Sequence, residues 1–174
     1  MAVIEKKFPS EMDHHEIVIV GDKLMIHNLS TGKTEWCTVA ELLAAGGTKY
    51  WSCLGIHFDA KNPDTDAVLK STDGAIQAEA DNIFFVAPVF LPNGAVITAA
   101  KVFGDVPAEA ETWNLYRLTL STGAVGIMGT GNINTEDTTI LLATVDNSLY
   151  SYYFNTTSFD TGDEIWGARI TYTI

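Results

Sequence analysis

The chain has 174 residues, which suffice for one medium domain with its own hydrophobic core, or for one domain and a small appendage. Its 22 acidic residues outnumber its 10 lysines and arginines, so the formal net charge is −12 and the isoelectric point is about 4.5. We therefore expect no nucleic acid and no anionic membrane surface as a partner, because both require a basic face on the protein.

The first 15 residues have almost no hydrophobic periodicity and predict an extended N-terminal arm. The arm lacks the apolar core of a signal peptide, and no run in the chain approaches the ~20 apolar residues of a membrane span. We therefore expect synthesis and folding in a cytoplasm, without membrane insertion. An ordered arm must be held by a partner, and its candidate partner-binding residues are Phe8, Pro9, His14 and His15.

Residues 16–48 predict a small module with three strands and one short helix. The runs EIVIV, KLMIHN and KTEWCTV are separated by good hairpin turns, which is typical of a three-stranded meander. Thr38 and Glu41 have the spacing of a capping box, and a Gly-Gly pair follows, so a helix of about two turns is predicted over 39–45. A module this small must pack on a neighbour, so we expect it to serve attachment or trimerisation.

Residues 49–174 predict an all-β fold, an antiparallel, jelly-roll-like β-sandwich of about eight strands. The strand-like runs are KYWSCLGIHF, FFVAPVF, AVITAAKVFG, TWNLYRL, GAVGIMG, TTILLATV, SLYSYYF and EIWGARITYTI. Between the first two runs, residues 59–82 carry few large apolar side chains and predict one long functional or interface loop. His57 lies in the first run and is predicted to be a core or interface residue. Alternation in the last run predicts a core face formed by Trp166, Ala168, Ile170, Tyr172 and Ile174.

Three segments resemble bacteriophage proteins. GDKLMIHNLSTGKTEWCTVAELL resembles a hairpin module of phage fibre and spike proteins, of the form DKLLI…TGE…VTLSELL. VFLPNGAVITAAKVFGD with AETWNLYRLTL resembles the LPxGAxITxxxVYG and tWxLYR pair of phage β-sandwich head domains, and GDEIWGARITYTI resembles their last strand. Together the matches cover residues 17–48 and 84–174.

The resemblance implies a structural protein of the virion, made in the host cytoplasm. Such proteins are generally homotrimers whose N-terminal part attaches to other virion proteins and whose sandwich forms a knob. This chain has no heptads and no internal repeat, which favours a short capsid-bound fibre or a decoration protein over a long tail fibre.

The sequence predicts no enzyme, no cofactor and no metal site. The acidic residues that could form a catalytic pair lie in turn-like stretches, where solvation alone explains them. His14 and His15 are adjacent, and neighbours in a strand do not share a face, so the two are not expected to bind one metal ion together. In NPDTDAV the oxygen-bearing side chains occupy alternate positions, as in a calcium-binding loop, but the segment lacks the glycine that such a loop requires and contains a proline. The candidate catalytic carboxylates are Asp105, Glu109, Glu111, Asp160, Asp163 and Glu164.

The alternative hypothesis is a head domain that binds a host-surface glycan, because aromatic rings stack on sugars. The favoured interpretation of the aromatic residues is that they fill the core or a subunit interface, since both faces of TWNLYRL carry large side chains. Cys37 and Cys53 are predicted to be free thiols. The aromatic candidates are Trp36, Trp51, Trp113, Trp166, Tyr150, Tyr152 and Tyr153. The candidate ligand-facing loop residues are Asp59, Asn62, Asp64, Asp66, Glu109 and Glu111.

Overall fold

The structure is a computed structural model that describes residues 15–20, 23–28, 33–38, 47–105 and 111–174. The chain divides into two compact units, residues 1–47 and 48–174. Within these described ranges, no helix has the length and apolarity that crossing a bilayer requires.

The first unit contains an antiparallel sheet of three strands, β1 (His15–Val20), β2 (Lys23–Asn28) and β3 (Lys33–Thr38), in the order β1-β2-β3. These strands confirm the predicted meander. His15 opens β1, opposite Asn28. The predicted helix over 39–45 and the arm residues Phe8, Pro9 and His14 lie outside the described residues.

The second unit is an antiparallel β-sandwich, which confirms the predicted fold class. Sheet I has the strand order β11-β10-β12-β8-β5. In sheet II, β13 pairs with β9 on one side and with β4 and β7 on the other, and β6 pairs with β7. The strands are β4 (Lys49–Leu54), β5 (Asp59–Ala60), β6 (Val68–Lys70), β7 (Ile76–Ala78), β8 (Phe85–Val89), β9 (Val96–Asp105), β10 (Thr112–Thr119), β11 (Val125–Asn132), β12 (Tyr150–Thr156) and β13 (Glu164–Thr173).

The core lies between the two sheets and is rich in aromatic side chains. Trp113 on β10 is fully buried, and its ring meets Phe154 of β12 edge-on at 5.8 Å between centroids. Phe85 of β8 packs edge-on against Phe159 at 5.2 Å. Burial of such side chains stabilises a fold by roughly 25 cal/mol per Å² of apolar surface, so this aromatic layer holds the sheets together.

The prediction of one long loop over residues 59–82 was wrong. This segment contains β5, which joins sheet I, and the hairpin of β6 and β7, which joins sheet II. Each of these strands has only two or three residues, too few to show a period-2 pattern in the sequence. His57 was also placed wrongly, because β4 ends at Leu54 and His57 is exposed in a 3-10 turn spanning Gly55–His57.

The run TTILLATV, residues 138–145, was predicted to be a strand and is not one. It belongs to residues 133–149, which we call the bridging segment because its backbone bonds both sheets. Leu141 N donates to Met128 O of β11 at 2.7 Å, whereas Ile97 N of β9 donates to Ala143 O at 2.9 Å. The run cannot pair regularly with either strand while it bonds both. The bridging segment therefore covers two sheet edges that would otherwise present unpaired backbone groups.

The last strand departs from the predicted alternation. The register of β13 against β9 shifts between Ile165 and Gly167, so one additional residue is inserted there. Ile165 is fully buried, whereas Trp166 is 51% exposed and its Nε1 donates to Glu164 Oε2 at 3.3 Å. The core positions of Ala168 and Ile170 are confirmed and Tyr172 packs partly buried against the core, but the predictions for Trp166 and the exposed Ile174 were wrong.

Candidate functional site

Two tyrosines occupy the centre of the outer face of sheet I. Alternation along β10 sends Trp113 and Leu115 into the core and turns Tyr116 outward. Tyr153 lies directly opposite Tyr116 on β12. Their rings stack with centroids 5.4 Å apart and planes 28° apart, and both side chains are half-buried. The pair therefore forms a fixed aromatic surface at the middle of the sheet.

The residues beside the tyrosines are apolar and uncharged. Ile127 lies opposite Tyr116 on β11, and Pro88 lies opposite Tyr153 on β8. Phe90 follows Pro88 by two residues and is 76% exposed. We call the outer surface formed by these five residues the tyrosine face. None of these five side chains is charged, although the net charge of the chain is −12.

A row of amides borders the tyrosine face. Asn114 of β10 lies opposite Asn155 of β12, and Thr130 of β11 lies opposite Asn114 on the other side. Asn155 Oδ1 is buried and accepts no hydrogen bond from the described residues. A buried acceptor without a donor is unfavourable, so this amide is the least satisfied polar group of the row.

The chemistry of the face suits a neutral, hydroxyl-rich ligand. Burial, and secondarily the neighbouring Tyr116, raises the pKa of Tyr153 above its ordinary value. The Tyr153 hydroxyl therefore stays protonated at neutral pH and can both donate and accept a hydrogen bond. Rings, hydroxyls and amides together can pack on the apolar side of a sugar and bond its hydroxyls.

Of the ligand-facing residues predicted from the sequence, Asp59 of β5 lies opposite Val86 of β8, which lies opposite Asn155, so Asp59 stands at the end of the amide row. Asp59 forms an exposed ion pair with Lys70, with 2.6 Å between Oδ1 and Nζ. Asn62 N donates to Asp66 Oδ2 at 3.1 Å, which closes a turn that leaves Asp64 exposed.

The predicted acidic loop near residue 110 is described only in part. Glu111 is 8% exposed, and Glu109 lies outside the described residues. Glu111 thus occupies a buried position at the start of β10.

Neither a metal cluster nor a carboxylate pair with an evident role occurs in the parts that the structure describes. Within 47–105 and 111–174, no group of three His, Cys, Asp or Glu side chains could hold a metal ion. Asp163 is buried and its Oδ2 accepts a hydrogen bond from Asp160 N at 3.0 Å. Asp105 lies opposite Glu164 at the end of β9, and Glu164 bonds Trp166.

The cysteine described in full is a free thiol. Burial raises the pKa of Cys53 to about 11, partly offset by a backbone hydrogen bond from Ala168. A thiol with so high a pKa has little thiolate at neutral pH and is a poor nucleophile.

The aromatic candidates from the sequence divide between core and surface. Trp113 and Tyr152 are buried, and Trp51 stacks on Phe154 at 6.3 Å, which confirms a core role for these three. Tyr150 and Tyr153 are half-buried. Tyr116 was missed: its alternation with Trp113 in TWNLYRL indicated an outward position, but the sequence did not show that Tyr153 lies opposite. The Trp36 side chain is outside the described part.

No family model matches the chain, and no curated protein matches it. Similar solved structures include the C-terminal CBM6 of LamC, a marine laminarinase from Zobellia galactanivorans, with a TM-score of 0.42 and 13% identity over 71% of this chain and 99% of that one. A structure of carbohydrate-binding modules from the β-sandwich superfamily with promiscuous specificity has a TM-score of 0.36 and 11% identity over 94% and 74%. A family two carbohydrate esterase from Cellvibrio japonicus has a TM-score of 0.34 and 5% identity over 74% and 34%. Likenesses with TM-scores this low carry no argument about function.

Proposed function

We propose that residues 48–174 form a non-enzymatic head domain that binds a neutral carbohydrate on the tyrosine face. The observation that carries this proposal is the stacked pair of Tyr116 and Tyr153, whose cross-strand neighbours Ile127 and Pro88 are apolar. Acidic proteins usually cover their outer sheet faces with charge, which keeps them soluble. A central patch of aromatic rings without charge is typical of a ligand-binding surface.

The proposed contacts follow from the two rows of side chains. The tyrosine rings pack against the C–H side of a sugar ring, and their hydroxyls bond to its hydroxyl groups. Asn114 and Asn155 in the adjoining row supply amide donors and acceptors. The rings sit on paired strands of a sheet, so the ligand finds them already in position and little ordering opposes binding.

Binding of neutral oligosaccharides tests this proposal. A glycan array identifies a ligand, and calorimetric titration then compares the unsubstituted protein with Tyr116→Ala and Tyr153→Ala. Each substitution should weaken binding about fivefold, because an aromatic contact contributes about 1 kcal/mol. Tyr50→Ala is the control, since Tyr50 is also a tyrosine, more exposed than the pair, but lies on sheet II. The proposal would be rejected if no neutral glycan on the array bound the protein, or if all three variants lost the same amount of affinity.

A second candidate function is structural, a homotrimeric phage fibre, spike or decoration protein held in the virion by its N-terminal arm. The resemblance of residues 17–48 and 84–174 favours it. Four exposed leucines on or beside the ends of β10, β11 and β12 also favour it, and we call them the leucine patch. Aliphatic side chains cannot bond sugar hydroxyls, and exposed clusters of them mark protein contacts. Its members are Leu120, Leu141, Leu142 and Leu149.

The leucine patch carries a strained residue. Leu142 has a φ of 53°, in the left-handed region that a leucine rarely adopts, and it is still half-exposed. Leu120 N donates to Leu149 O at 2.9 Å, so these two leucines are neighbours. Strain that keeps an apolar side chain in water is explained if a second copy of the chain covers it. The two candidate functions are compatible, because the leucine patch and the tyrosine face contain different residues.

A further inference from the structure

Sheet II carries two cations and several aromatic rings on its outer face. Arg169 of β13 lies directly opposite Lys101 of β9. Both lie against the ring of Phe103, with Lys101 Nζ 4.8 Å and Arg169 Cζ 5.6 Å from its centroid. On the other side of β13, the ring of Tyr50 on β4 is 5.8 Å from Arg169 Cζ and 64% exposed. We call Lys101, Phe103, Arg169 and Tyr50 the cationic face.

The electrostatics of this pair are unfavourable without a ligand. Like charges directly opposite each other destabilise a sheet, and this protein has only 10 lysines and arginines to place. Arg169 Nη2 bonds Glu136 Oε1 at 3.0 Å, whereas Lys101 has no acidic partner within 47–105 and 111–174. Arg169 Nε is buried and likewise lacks an acceptor in those ranges. An anion bound between the two cations would remove this repulsion.

We propose that the cationic face binds an acidic saccharide. A carboxylate or sulfate group of the sugar lies between Lys101 and Arg169, and the sugar ring packs on the exposed ring of Tyr50. Phe103 and Tyr50 lie on strands that flank β13, so the aromatic surface spans about two strand spacings, or ~10 Å. This site is separate from the tyrosine face, whose central rows carry no charge.

The sheet geometry favours a saccharide over a peptide. Extended peptides commonly bind by adding a strand to a free sheet edge. β13 is paired with β9 on one side and with β4 on the other, so its backbone offers no free edge. A ligand between Lys101 and Arg169 therefore contacts side chains and cannot add a strand beside β13, although β4, which carries Tyr50, is an edge strand. Rings such as Tyr50 and the exposed Trp166 suit sugar stacking there, and the net charge of −12 opposes nucleic acid.

Calorimetric titration with oligogalacturonate and with a sulfated galactose oligomer tests the site, with a neutral galactose oligomer of the same length as the comparison. We expect Lys101→Gln to weaken binding of the acidic oligomers about tenfold. Lys61→Gln is the matched control, because Lys61 also lies over a phenylalanine ring, with Nζ 5.5 Å from the centroid of Phe84. That variant should bind like the unsubstituted protein.

A gain of affinity gives a second readout that misfolding could not imitate. Glu136→Gln removes the acidic partner of Arg169, so it should tighten binding of the acidic oligomers by about two- to fivefold. Tyr116→Ala should leave that binding unchanged, which separates this site from the tyrosine face.

Three results would overturn the proposal. The first is that neither acidic oligomer binds. The second is that Lys101→Gln and Lys61→Gln lose the same amount of affinity, and the third is that an oligoglutamate peptide of matched charge binds more tightly than the acidic oligomers. The last result would assign the cationic face to an acidic protein partner.

Discussion

At the scale of single residues, two tryptophans show how burial decides the effect of a substitution. Trp113 is fully buried, and its Nε1 donates to Asn132 O at 3.1 Å and to Thr135 O at 3.2 Å. Trp113→Ala should lower the free energy of unfolding by about 3–5 kcal/mol, because it leaves a cavity and removes the indole donor from both carbonyls, of which Asn132 O keeps a hydrogen bond from Thr135 N. Urea denaturation measures this change.

Trp166→Ala is the comparison for that measurement. Half of the Trp166 side chain is exposed, so its removal should lower the free energy of unfolding by less than about 1 kcal/mol. Equal losses at the two positions would mean that Trp166 is covered in solution, either by a ligand or by a second copy of the chain.

The sequence could predict most inward positions but not the site. Alternation in TWNLYRL correctly indicates that Trp113 and Leu115 share a face. Alternation in the last strand likewise indicates that Ala168 and Ile170 face the core. The alternation placed Trp166 wrongly in the core. An inserted residue in β13 changes which side chains face the core, and no side-chain pattern marks that insertion. The pairing of Tyr116 with Tyr153 depends on cross-strand register, which a single sequence does not specify.

At the scale of elements, strand length decided what could be predicted. Seven strands of the sandwich have five or more residues and were recognised from their apolar runs. β5, β6 and β7 are too short for such a signal, and the bridging segment has a strand-like composition without a strand's pairing. Apolar composition predicted a buried strand here, yet Leu141 and Leu142 are exposed; hydrogen-bond partners decide whether a segment becomes a strand.

The bridging segment is held by Asp137. Its Oδ1 accepts hydrogen bonds from Thr139 Oγ1 at 2.6 Å and from Thr139 N at 2.7 Å, and its Oδ2 accepts one from Thr130 N at 3.0 Å. Partial burial by itself raises the pKa of Asp137, but the three hydrogen bonds together hold it below its ordinary value.

Because the pKa of Asp137 is lower in the folded chain than in the unfolded one, acid should destabilise the protein. The contribution of Asp137 is fully present above the ordinary aspartate pKa of about 4 and is lost as the pH falls through the folded value. Asp81 and Asp146 also have lowered pKa values and act in the same direction. Urea denaturation between pH 7 and pH 2 should therefore show stability falling below about pH 4.

Asp137→Asn should make that fall shallower, because asparagine does not titrate. Asp64→Asn is the control, since the Asp64 carboxylate accepts no hydrogen bond within the part of the chain that the structure describes. The pH series would contradict this account if the two variants showed the same slope.

At the scale of the whole molecule, function is harder to infer than fold, because the same sandwich supports many activities. The all-β class followed from the sequence, but the aromatic residues considered as a sugar platform included three with a core role, Trp51, Trp113 and Tyr152. The surfaces that bear on function are defined by what remains outside the core. These are the tyrosine face, the cationic face and the leucine patch.

The leucine patch predicts self-association, and the resemblance to phage fibre proteins implies three copies. Light scattering at micromolar concentration should give three times the chain mass of 18.9 kDa. Leu142→Asp combined with Leu149→Asp should reduce the mass to that of one chain, because three copies would each bury two carboxylates against apolar side chains.

Leu69→Asp is the matched control for the trimer. Leu69 on β6 is as exposed as Leu142 but belongs to sheet II, so this variant should keep the trimer mass. Circular dichroism establishes that each variant keeps its strands, which separates loss of association from loss of folding. An unsubstituted protein of 18.9 kDa would leave the leucine patch exposed in solution and reject the trimer. A trimer that survives both aspartates would place the subunit contact on another surface, with the uncharged tyrosine face the next to be tested.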